Sequence, residues 1–308
     1  MQLVRGLHNV QSQHHGCVLT IGKFDGVHLG HQAVLERLRE KAKDLALPSA
    51  VMVFEPQPEE VFSPQSAPAR LSPFRDKYNQ LAELGIDRLI CARFNSAFAN
   101  MSAQAFIHQL LSMRLGVKFL VVGDDFRFGY QRSGDFSMLQ AESTRAGFSV
   151  VSTDSFKLAE WRISSTLVRE ALAQNDFTRA KTLLGRPFSI SGKVIHGEKK
   201  GRTIGFPTAN LLLKRCKSPV QGVFAVNVVW RGQRYPAVAN IGSKPTVQGT
   251  KALLEAHIFN FAQSLYGENI QVELLEKIRD EQRFNDFLAL QQQIKLDCSV
   301  AKQILMQQ

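Results

Sequence analysis

Cysteine is scarce in this sequence, which has four cysteines among 308 residues and no CxxC pair. Isolated cysteines exclude a zinc ribbon and a redox dithiol, so we expect four reduced, structural thiols. Long apolar runs are also missing, since no window approaches the roughly 18 consecutive apolar residues that indicate a transmembrane helix. The N-terminal segment has no apolar stretch of the signal-peptide kind. We therefore expect a soluble, cytoplasmic protein with no membrane partner.

Glycine (21 residues) and proline (11 residues) occur at ordinary levels, which excludes collagen-like and low-complexity chains. With 44% hydrophobic residues the chain can bury a core, so intrinsic disorder is excluded as well. The length of 308 residues corresponds to about two domains.

Acidic residues are too few to balance the basic ones, and the formal net charge is +11. Residues 1–185 contain 21 basic and 18 acidic residues, whereas residues 186–308 contain 17 and 9. A basic surface can bind nucleic acid, an anionic membrane or phosphorylated small molecules. The sequence has no helix-turn-helix, RNP-type aromatic motif or polybasic tail to favour the first two. Charge alone nevertheless leaves nucleic acid open.

Hydrophobic periodicity divides the chain into two parts. Up to residue 152, four or five apolar runs such as CVLTI and AVMVF alternate with segments of helical spacing. This predicts a parallel sheet in a doubly wound, Rossmann-like α/β domain over residues 1–185, with Gly185 as the C-cap of its last helix. From residue 186 to 308, short strands without intervening helices predict an all-β antiparallel barrel, followed by a C-terminal helix.

The loop GKFDGVHLGH (residues 22–31) follows the first apolar strand of the α/β domain. Ligands of open α/β sheets bind beyond the carboxyl ends of the strands, at helix N-termini. The glycines allow a phosphate to approach the backbone, and His28 and His31 can hydrogen-bond a triphosphate during attack on phosphorus. The alternative is a polar loop with a capping histidine. Metal binding is disfavoured because no third ligand follows at a suitable spacing.

Three further motifs of this domain carry polar side chains. ISSTLVR opens a helix with Ser164, Ser165 and Thr166 one turn before Arg169, an arrangement that binds anions or merely caps the helix. GDDFRFG (residues 123–129) and FEPQP (residues 54–58) each follow an apolar strand. The carboxylates, arginine and aromatic rings of GDDFRFG suit a flat heterocycle that carries a phosphate.

The predicted barrel has its own polar motifs. Gly201 and Gly205 lie in a basic segment that suits phosphate binding. Thr208 and Asn210, two apart on an extended chain, can direct oxygen atoms to one Mg²⁺ ion. A basic hairpin with turn glycines is the alternative. Glu255 lies in the apolar strand LLEAHIF, where a desolvated carboxylate suits a general base, with a cross-strand salt bridge as the competing account.

The motifs GKFDGVHLGH and ISSTLVR resemble the nucleotidyltransferase superfamily with HxGH and ISSTxxR-type motifs. GDDFRFG and FEPQP narrow this resemblance to the bacterial FMN adenylyltransferase module. Many members of that family have a histidine between the two prolines of FEPQP, where this chain has Gln57. The resemblance implies an ATP and phosphate site formed by residues of GKFDGVHLGH and ISSTLVR. These residues are Gly22, Phe24, Asp25, Gly30, Ser164, Ser165 and Thr166, whereas Gly201 and Gly205 are the predicted ATP and phosphate contacts of the barrel.

GRTIGFPTAN, ANIGSKPT, LLEAHIFNF and IRDEQRF resemble riboflavin kinase, a six-stranded barrel. Together the two motif sets resemble the bifunctional bacterial riboflavin kinase/FMN adenylyltransferase family over nearly the whole chain. This implies that riboflavin is phosphorylated to FMN with ATP and Mg²⁺, and that FMN is then adenylylated to FAD. The catalytic residues implied are Glu255, His28, His31 and Arg169, and the flavin-binding residues implied are Pro58, Asp125, Arg127 and Arg279.

Phosphate-bearing ligands account for the surplus positive charge, so we expect small-molecule partners and no nucleic acid. The oligomeric state stays open between a monomer and weak self-association. Two alternatives also stay open. One is a nucleotidyltransferase with a different acceptor, such as a cytidylyltransferase, joined to an unrelated barrel, and the other is a non-catalytic flavin- or RNA-binding regulator.

Overall fold

A computed structural model describes residues 1–153, 163–196, 205–213, 217–246, 249–284 and 286–307. The chain divides by its internal contacts into two compact units. The sheet unit comprises residues 1–68 and 74–163, and the barrel unit comprises residues 69–73 and 164–308.

The sheet unit contains six parallel strands in the order β1-β4-β3-β2-β5-β6. This confirms the predicted doubly wound sheet and adds one strand at its edge. The added strand is mostly exposed, so it lacks the apolar run that signals a buried strand. The strands are β1 (Gln2–Arg5), β2 (Cys17–Ile21), β3 (Ser49–Glu55), β4 (Arg88–Arg93), β5 (Val117–Val122) and β6 (Ser149–Ser152).

Helices connect these strands. The first helix buries Leu35, Leu38 and Ala42, the apolar stripe that its sequence predicts. The helices are α1 (Leu29–Asp44), α2 (Pro58–Phe62), α3 (Phe74–Glu83), α4 (Ser96–Ala99), α5 (Ala103–Ala105), which continues as a π-helix (Phe106–Arg114), and α6 (Phe136–Ala146).

The direction of the strand order changes beside β2. β3 and β4 extend the sheet on one side of β2, and β5 and β6 extend it on the other. Thr20 of β2 pairs with Val51 of β3 and Val121 of β5, so the loops that follow these strands emerge at one edge. A switch point of this kind is where open α/β sheets bind their ligands.

The barrel unit is a closed barrel in which each strand is antiparallel to its two neighbours, in the order β10-β11-β8-β7-β12-β9. This confirms the predicted six-stranded barrel. Its strands are β7 (Ser189–Ile195), β8 (Ala209–Leu213), β9 (Gly222–Trp230), β10 (Gln233–Thr246), β11 (Gly249–Ile258) and β12 (Asn269–Arg279).

Two helices precede the barrel, α7 (Ser165–Ala173) and α8 (Phe177–Leu184). Their buried residues belong to the same apolar cluster as the barrel interior, and the ring of Phe177 meets that of Phe224 with centroids 5.7 Å apart. The contacts therefore group α7 and α8 with the barrel, whereas the sequence-based division placed both helices before residue 185.

The last helix, α9 (Phe287–Met306), confirms the predicted C-terminal helix and covers part of the barrel exterior. Cys298 and Ala301 of this helix pack with Val223 and Val238 of the barrel strands. Within the described ranges, no helix has both the length and the apolar character that a membrane crossing requires.

The cysteines Cys17, Cys91 and Cys298 are buried free thiols, while Cys216 lies outside the described residues. Burial raises the pKa of the Cys17 and Cys298 thiols to about 11, which keeps them protonated and unreactive at neutral pH.

Candidate active sites

The loop between β2 and α1 has an unusual backbone. Phe24 (φ 47°) and Val27 (φ 40°) have left-handed conformations on either side of Asp25 and Gly26, although residues with a Cβ rarely adopt them. Phe24, Asp25 and Val27 are all buried, so packing holds the loop in this strained form. Strain of this kind is concentrated at functional sites.

His28 and His31 lie together at the start of α1. His28 is the N-cap, and its Nδ1 accepts the backbone N–H of His31 at 3.2 Å. The two imidazole rings stack with centroids 3.7 Å apart. Because Nδ1 of His28 is an acceptor, a neutral His28 carries its proton on Nε2 and can donate there. The capping role considered for the loop is therefore present, and it orients the ring.

There is no room for a side chain at Gly30, next to the His28 ring. A Cβ at this position would lie 2.9 Å from the carbonyl oxygen of Ile163 and 3.2 Å from Nδ1 of His28. The first distance is too short for a Cβ beside a backbone atom, and the second would require the His28 ring to shift. The glycine of the HxGH motif therefore allows the Ile163 carbonyl group to lie close to the helix start.

His31 is held neutral by its surroundings. Burial, followed by the nearby His28 and Lys77, keeps the pKa of His31 well below the ordinary value. Nδ1 of His31 is buried and has no hydrogen-bond partner among the described residues. A buried polar atom without a partner points to a missing ligand. Lys77, fully buried on α3, was not singled out in the sequence because nothing local distinguishes it from a surface lysine.

The loop after β3 lies at the same sheet edge. Lys23 forms a salt bridge with Glu59, which joins the loop after β2 to the first turn of α2. The backbone N–H of Gln57 donates to the Glu60 carboxylate at 2.9 Å, and Pro58 is the first residue of α2. Nε2 of Gln57 is buried without a partner in the described part of the chain. Gln57, like His31, therefore retains unsatisfied hydrogen-bonding capacity.

The loop after β5 places Asp125 and Arg127 at the surface, whereas its aromatic rings face inward. Phe126 and Phe128 pack against Phe106 in the core of the sheet unit. Both rings therefore contribute to the core of the sheet unit, with Phe128 buried and Phe126 half-buried. Arg127 donates to the carbonyl oxygen of Phe126 at 3.1 Å.

One exposed aromatic residue at this edge was missed in the sequence. Phe62, at the end of α2, is 67% exposed and meets Phe94 edge-on, with centroids 5.5 Å apart. No local sequence signal separates this ring from the many buried phenylalanines. An exposed phenyl ring beside polar loops offers a surface for a flat ligand.

The hydroxyl motif at the start of α7 belongs to the barrel unit. Oγ of Ser164 accepts the N–H of Leu167 at 3.3 Å, so this serine caps the helix. Nε of Arg169 donates to the carbonyl oxygen of Ala69 at 2.8 Å, which ties residues 69–73 to α7. Thr166 is exposed and Ser165 is half-buried.

Strand register brings the predicted kinase residues together. Glu255 of β11 lies between Asn210 of β8 and Asn240 of β10. Its neighbours Leu254 and Ala256 face the barrel core, so Glu255 projects from the opposite face, where it is half-buried instead of fully desolvated. The residues directly opposite Glu255 in register are both asparagines.

The arrangement of Thr208 and Asn210 fits a bound Mg²⁺ ion. Nδ2 of Asn210 donates to the carbonyl oxygen and to Oγ1 of Thr208, at 3.1 and 3.3 Å. Oδ1 of Asn210 is buried and accepts no hydrogen bond from the described residues. Oxygen atoms of this kind are the ligands that Mg²⁺ prefers.

The segment before these residues is anchored by His257, whose Nδ1 lies 2.9 Å from the carbonyl oxygen of Pro207. Gly205 has a left-handed φ of 86°, as a turn glycine does. Gly201 lies outside the described residues.

The register continues to Arg279. Asn240 pairs with Val223, and Val223 pairs with Arg279 at the end of β12. The Arg279 guanidinium, however, binds Asp297 of α9 through Nε and Nη2, at 2.9 and 2.7 Å. The structure thus places Arg279 beside the other predicted kinase residues but directs its side chain toward the last helix.

A parallel sheet with an HxGH loop at its switch point, followed by a small barrel with a Thr-Ala-Asn segment, defines a nucleotidyltransferase joined to a kinase barrel. Residues 10–167 match the family model of FAD synthetase, and residues 184–305 match that of riboflavin kinase. The chain belongs to the bifunctional riboflavin kinase/FMN adenylyltransferase family.

The relatives described below are similar to this chain over both units. The bifunctional riboflavin kinase/FMN adenylyltransferase of Escherichia coli (strain K12) is 52% identical over 305 residues, 98% of this chain and 97% of the relative. That of Haemophilus influenzae is 52% identical over 303 residues, 98% of each chain. A solved structure described as a macrolide-efflux protein from Streptococcus pneumoniae has a TM-score of 0.78 at 30% identity, and covers 98% of this chain and 99% of its own.

Proposed function

We propose that the two activities of this bifunctional enzyme are divided between its units. The barrel transfers the γ-phosphoryl group of ATP to riboflavin, and the sheet unit joins FMN to the AMP part of a second ATP, giving FAD and pyrophosphate. The observation that supports this division is the presence of buried polar atoms without partners in each unit. His31 Nδ1 and Gln57 Nε2 lie in the sheet unit, and Asn210 Oδ1 lies in the barrel.

In the kinase reaction, the terminal hydroxyl of the riboflavin ribityl chain attacks the γ-phosphorus of ATP and ADP leaves. Glu255 accepts the hydroxyl proton, a role that suits a carboxylate on the half-buried face of β11. Thr208 Oγ1 and Asn210 Oδ1 would hold Mg²⁺, which offsets the negative charge of the ATP phosphates when bound. Gly201 and Gly205 remain predicted phosphate contacts.

In the adenylyl transfer, a phosphate oxygen of FMN attacks the α-phosphorus of ATP and pyrophosphate leaves, without a covalent enzyme intermediate. His28, whose Nδ1 is an acceptor, donates from Nε2 to phosphate oxygens as negative charge develops. The backbone near Gly22, Phe24, Asp25 and Gly30 forms the phosphate loop. In-line positioning supplies most of the rate. Ser164, Ser165, Thr166 and Arg169 stay the phosphate ligands that the family resemblance predicts, although contacts group them with the barrel unit.

Pro58, Asp125 and Arg127 are the proposed FMN contacts of the sheet unit, at the edge where the loops after β3 and β5 emerge. The partners are then riboflavin, FMN and ATP. A soluble, cytoplasmic enzyme without nucleic-acid or membrane partners fits this chemistry.

The test is incubation with riboflavin, ATP and Mg²⁺, followed by chromatographic separation of FMN and FAD. We expect FMN to form first and FAD to follow, and both to require a divalent cation. If FMN and ATP gave no FAD while another phosphate ester was converted, a nucleotidyltransferase with a different acceptor would replace the proposal. RNA binding with a steep salt dependence and no turnover would indicate a regulator.

A further inference from the structure

Residues 279–284 leave the end of β12 and run beside the face of the barrel that carries Glu255. We call this segment the strap. Register relates its first residue, Arg279, to Glu255 through Val223 and Asn240 on the intervening strands. The strap therefore borders the proposed kinase site, and any role of the strap in phosphorylation rests on that proposed function.

One contact fixes the strap to β10. Nδ2 of Asn240 donates to Oε1 of Glu281 at 3.3 Å, and Asn240 is the register partner of Glu255. A Cβ on Gly242 would overlap the same Glu281 oxygen. The Glu281 carboxylate thus occupies the space that a side chain at position 242 would fill. It lies on the face of the sheet that carries Glu255, since residues two apart on a strand share a face.

A second contact fixes the strap to the last helix. Asp297 of α9 is 4% exposed and accepts two hydrogen bonds from Arg279, a bidentate charge-assisted pair. Gln293 donates to the same carboxylate at 2.9 Å. Nη1 of Arg279 donates to the carbonyl oxygen of Asp280 at 2.8 Å, so the guanidinium also shapes the strap backbone.

These contacts change the role expected for Arg279. Each of its three guanidinium nitrogens donates to the protein, and the forked edge of the group faces Asp297. The edge formed by Nε and Nη2 is committed to a carboxylate that is shielded from water, so a ligand could be reached only through the second N–H of Nη1 or of Nη2. Arg279 is therefore better suited to hold the strap than to bind the flavin.

We propose that Asp297 is a positioning residue for riboflavin phosphorylation. It acts through Arg279, which holds the strap so that Glu281 lies beside Asn240 and Glu255. The pair links α9 to the site where the riboflavin hydroxyl reacts, although no residue of α9 takes part in the chemistry.

The experiment uses the full chain and the isosteric variant Asp297→Asn. We expect kcat/KM for riboflavin to fall roughly 10- to 100-fold, chiefly through KM, because a misplaced strap disturbs substrate positioning. FAD formation from supplied FMN should be unchanged. Asp297→Glu should recover part of the loss, since it restores the charge.

Glu273→Gln is the matched control. Glu273 is 6% exposed and forms a bidentate pair with Arg234 on the same barrel, at 3.0 and 3.2 Å. This variant neutralises a carboxylate as buried as that of Asp297 but away from the strap, although its partner Arg234 is more exposed than Arg279. Its melting temperature should fall while its KM for riboflavin stays unchanged. An Asp297→Asn enzyme with the kinetics of this control would overturn the proposal.

Two further variants test whether Asp297 acts through Arg279 and through the position of Glu281. Gly242→Ala displaces Glu281 without touching Asp297, and it should also lower kcat/KM for riboflavin. In a double-mutant cycle, Asp297→Asn should cost little once Arg279→Gln is present, because both break one contact. Additive losses, or a normal Gly242→Ala enzyme, would overturn the proposal. Failure of the kinase site itself would appear separately, as an active Glu255→Gln enzyme.

Discussion

The two units assemble their functional groups in different ways. In the sheet unit, His28, Gly30 and His31 come from one short loop, and their geometry depends on local backbone strain and a helix N-terminus. In the barrel, Asn210 and Glu255 come from strands far apart in the sequence, and register alone makes them neighbours. The first kind of site can be recognised from a contiguous motif, and the second requires the fold.

Because the two sites are built differently, different structural changes would disrupt them. A single added methyl group at Gly30 would disturb the loop, since it would lie against Nδ1 of His28 and a backbone carbonyl oxygen. In the barrel, a slip of β11 by one residue would move Glu255 to the opposite face and lose the site altogether. Substitutions that separate the two activities test whether the sites are as independent as this comparison implies.

The largest effect is expected for Glu255→Gln. Glutamine keeps the shape but cannot accept a proton, so riboflavin phosphorylation should fall about 10²- to 10⁴-fold. Riboflavin affinity should change little, because the lost interaction belongs mainly to the transition state. Initial-rate assays of FMN formation measure this, with Glu276→Gln on an exposed part of β12 as the control. An undiminished kinase would make Glu255 a structural carboxylate.

The next effect concerns the other unit. His28→Ala removes both the cap of α1 and the proposed donor, so FAD formation from FMN should fall by roughly two orders of magnitude. FMN formation should continue, and the exposed His8→Ala variant should leave both rates normal. Equal loss of the two activities would indicate misfolding or a shared site, and the comparison between the units would fail.

Much of the fold and part of each site could be predicted from the sequence. The parallel sheet, the barrel and the HxGH loop have local signals, namely alternating apolar periods and a contiguous motif. β1 was missed because an exposed edge strand has no apolar run. The Arg279–Asp297 pair and the packing of α7 and α8 on the barrel were missed because long-range contacts leave no local trace. The packing of Phe126 and Phe128 on Phe106 could not be predicted because a motif does not show which way a ring points.

The position of α7 and α8 leads to a prediction about stability. A fragment of residues 164–308 keeps the buried side chains of Phe177 and Leu184 in the barrel cluster, and a fragment of residues 186–308 loses them. Each large buried apolar side chain contributes roughly 1.5–3 kcal/mol. The shorter fragment should therefore melt at least about 10 °C lower in a calorimetric scan. Equal melting temperatures would support the boundary at residue 185 that the sequence suggested.

The smallest effect is a dependence of stability on pH in the sheet unit. His14 is 5% exposed, and its Nδ1 accepts the backbone N–H of Gln11 at 2.9 Å. Burial, followed by the nearby Arg88, lowers the pKa of His14 below its ordinary value of 6.5. The unfolded chain then binds the proton more readily than the folded one, so the free energy of unfolding should decrease as the pH falls below 6.5.

Urea unfolding of the full chain at pH 7.5 and at pH 5.5, about one pH unit on either side of an unperturbed histidine pKa, measures this dependence. His14→Gln keeps a hydrogen-bond acceptor but does not titrate, so its sheet-unit transition should shift less between the two pH values than that of the unaltered chain. Burial lowers the pKa of His31 as well. His31 should therefore account for part of the shift with pH that remains in the His14→Gln variant. If His14→Gln lost as much stability in acid as the unaltered chain, protonation of His14 would not be coupled to folding. The acid sensitivity of the sheet unit would then have to come from groups other than His14.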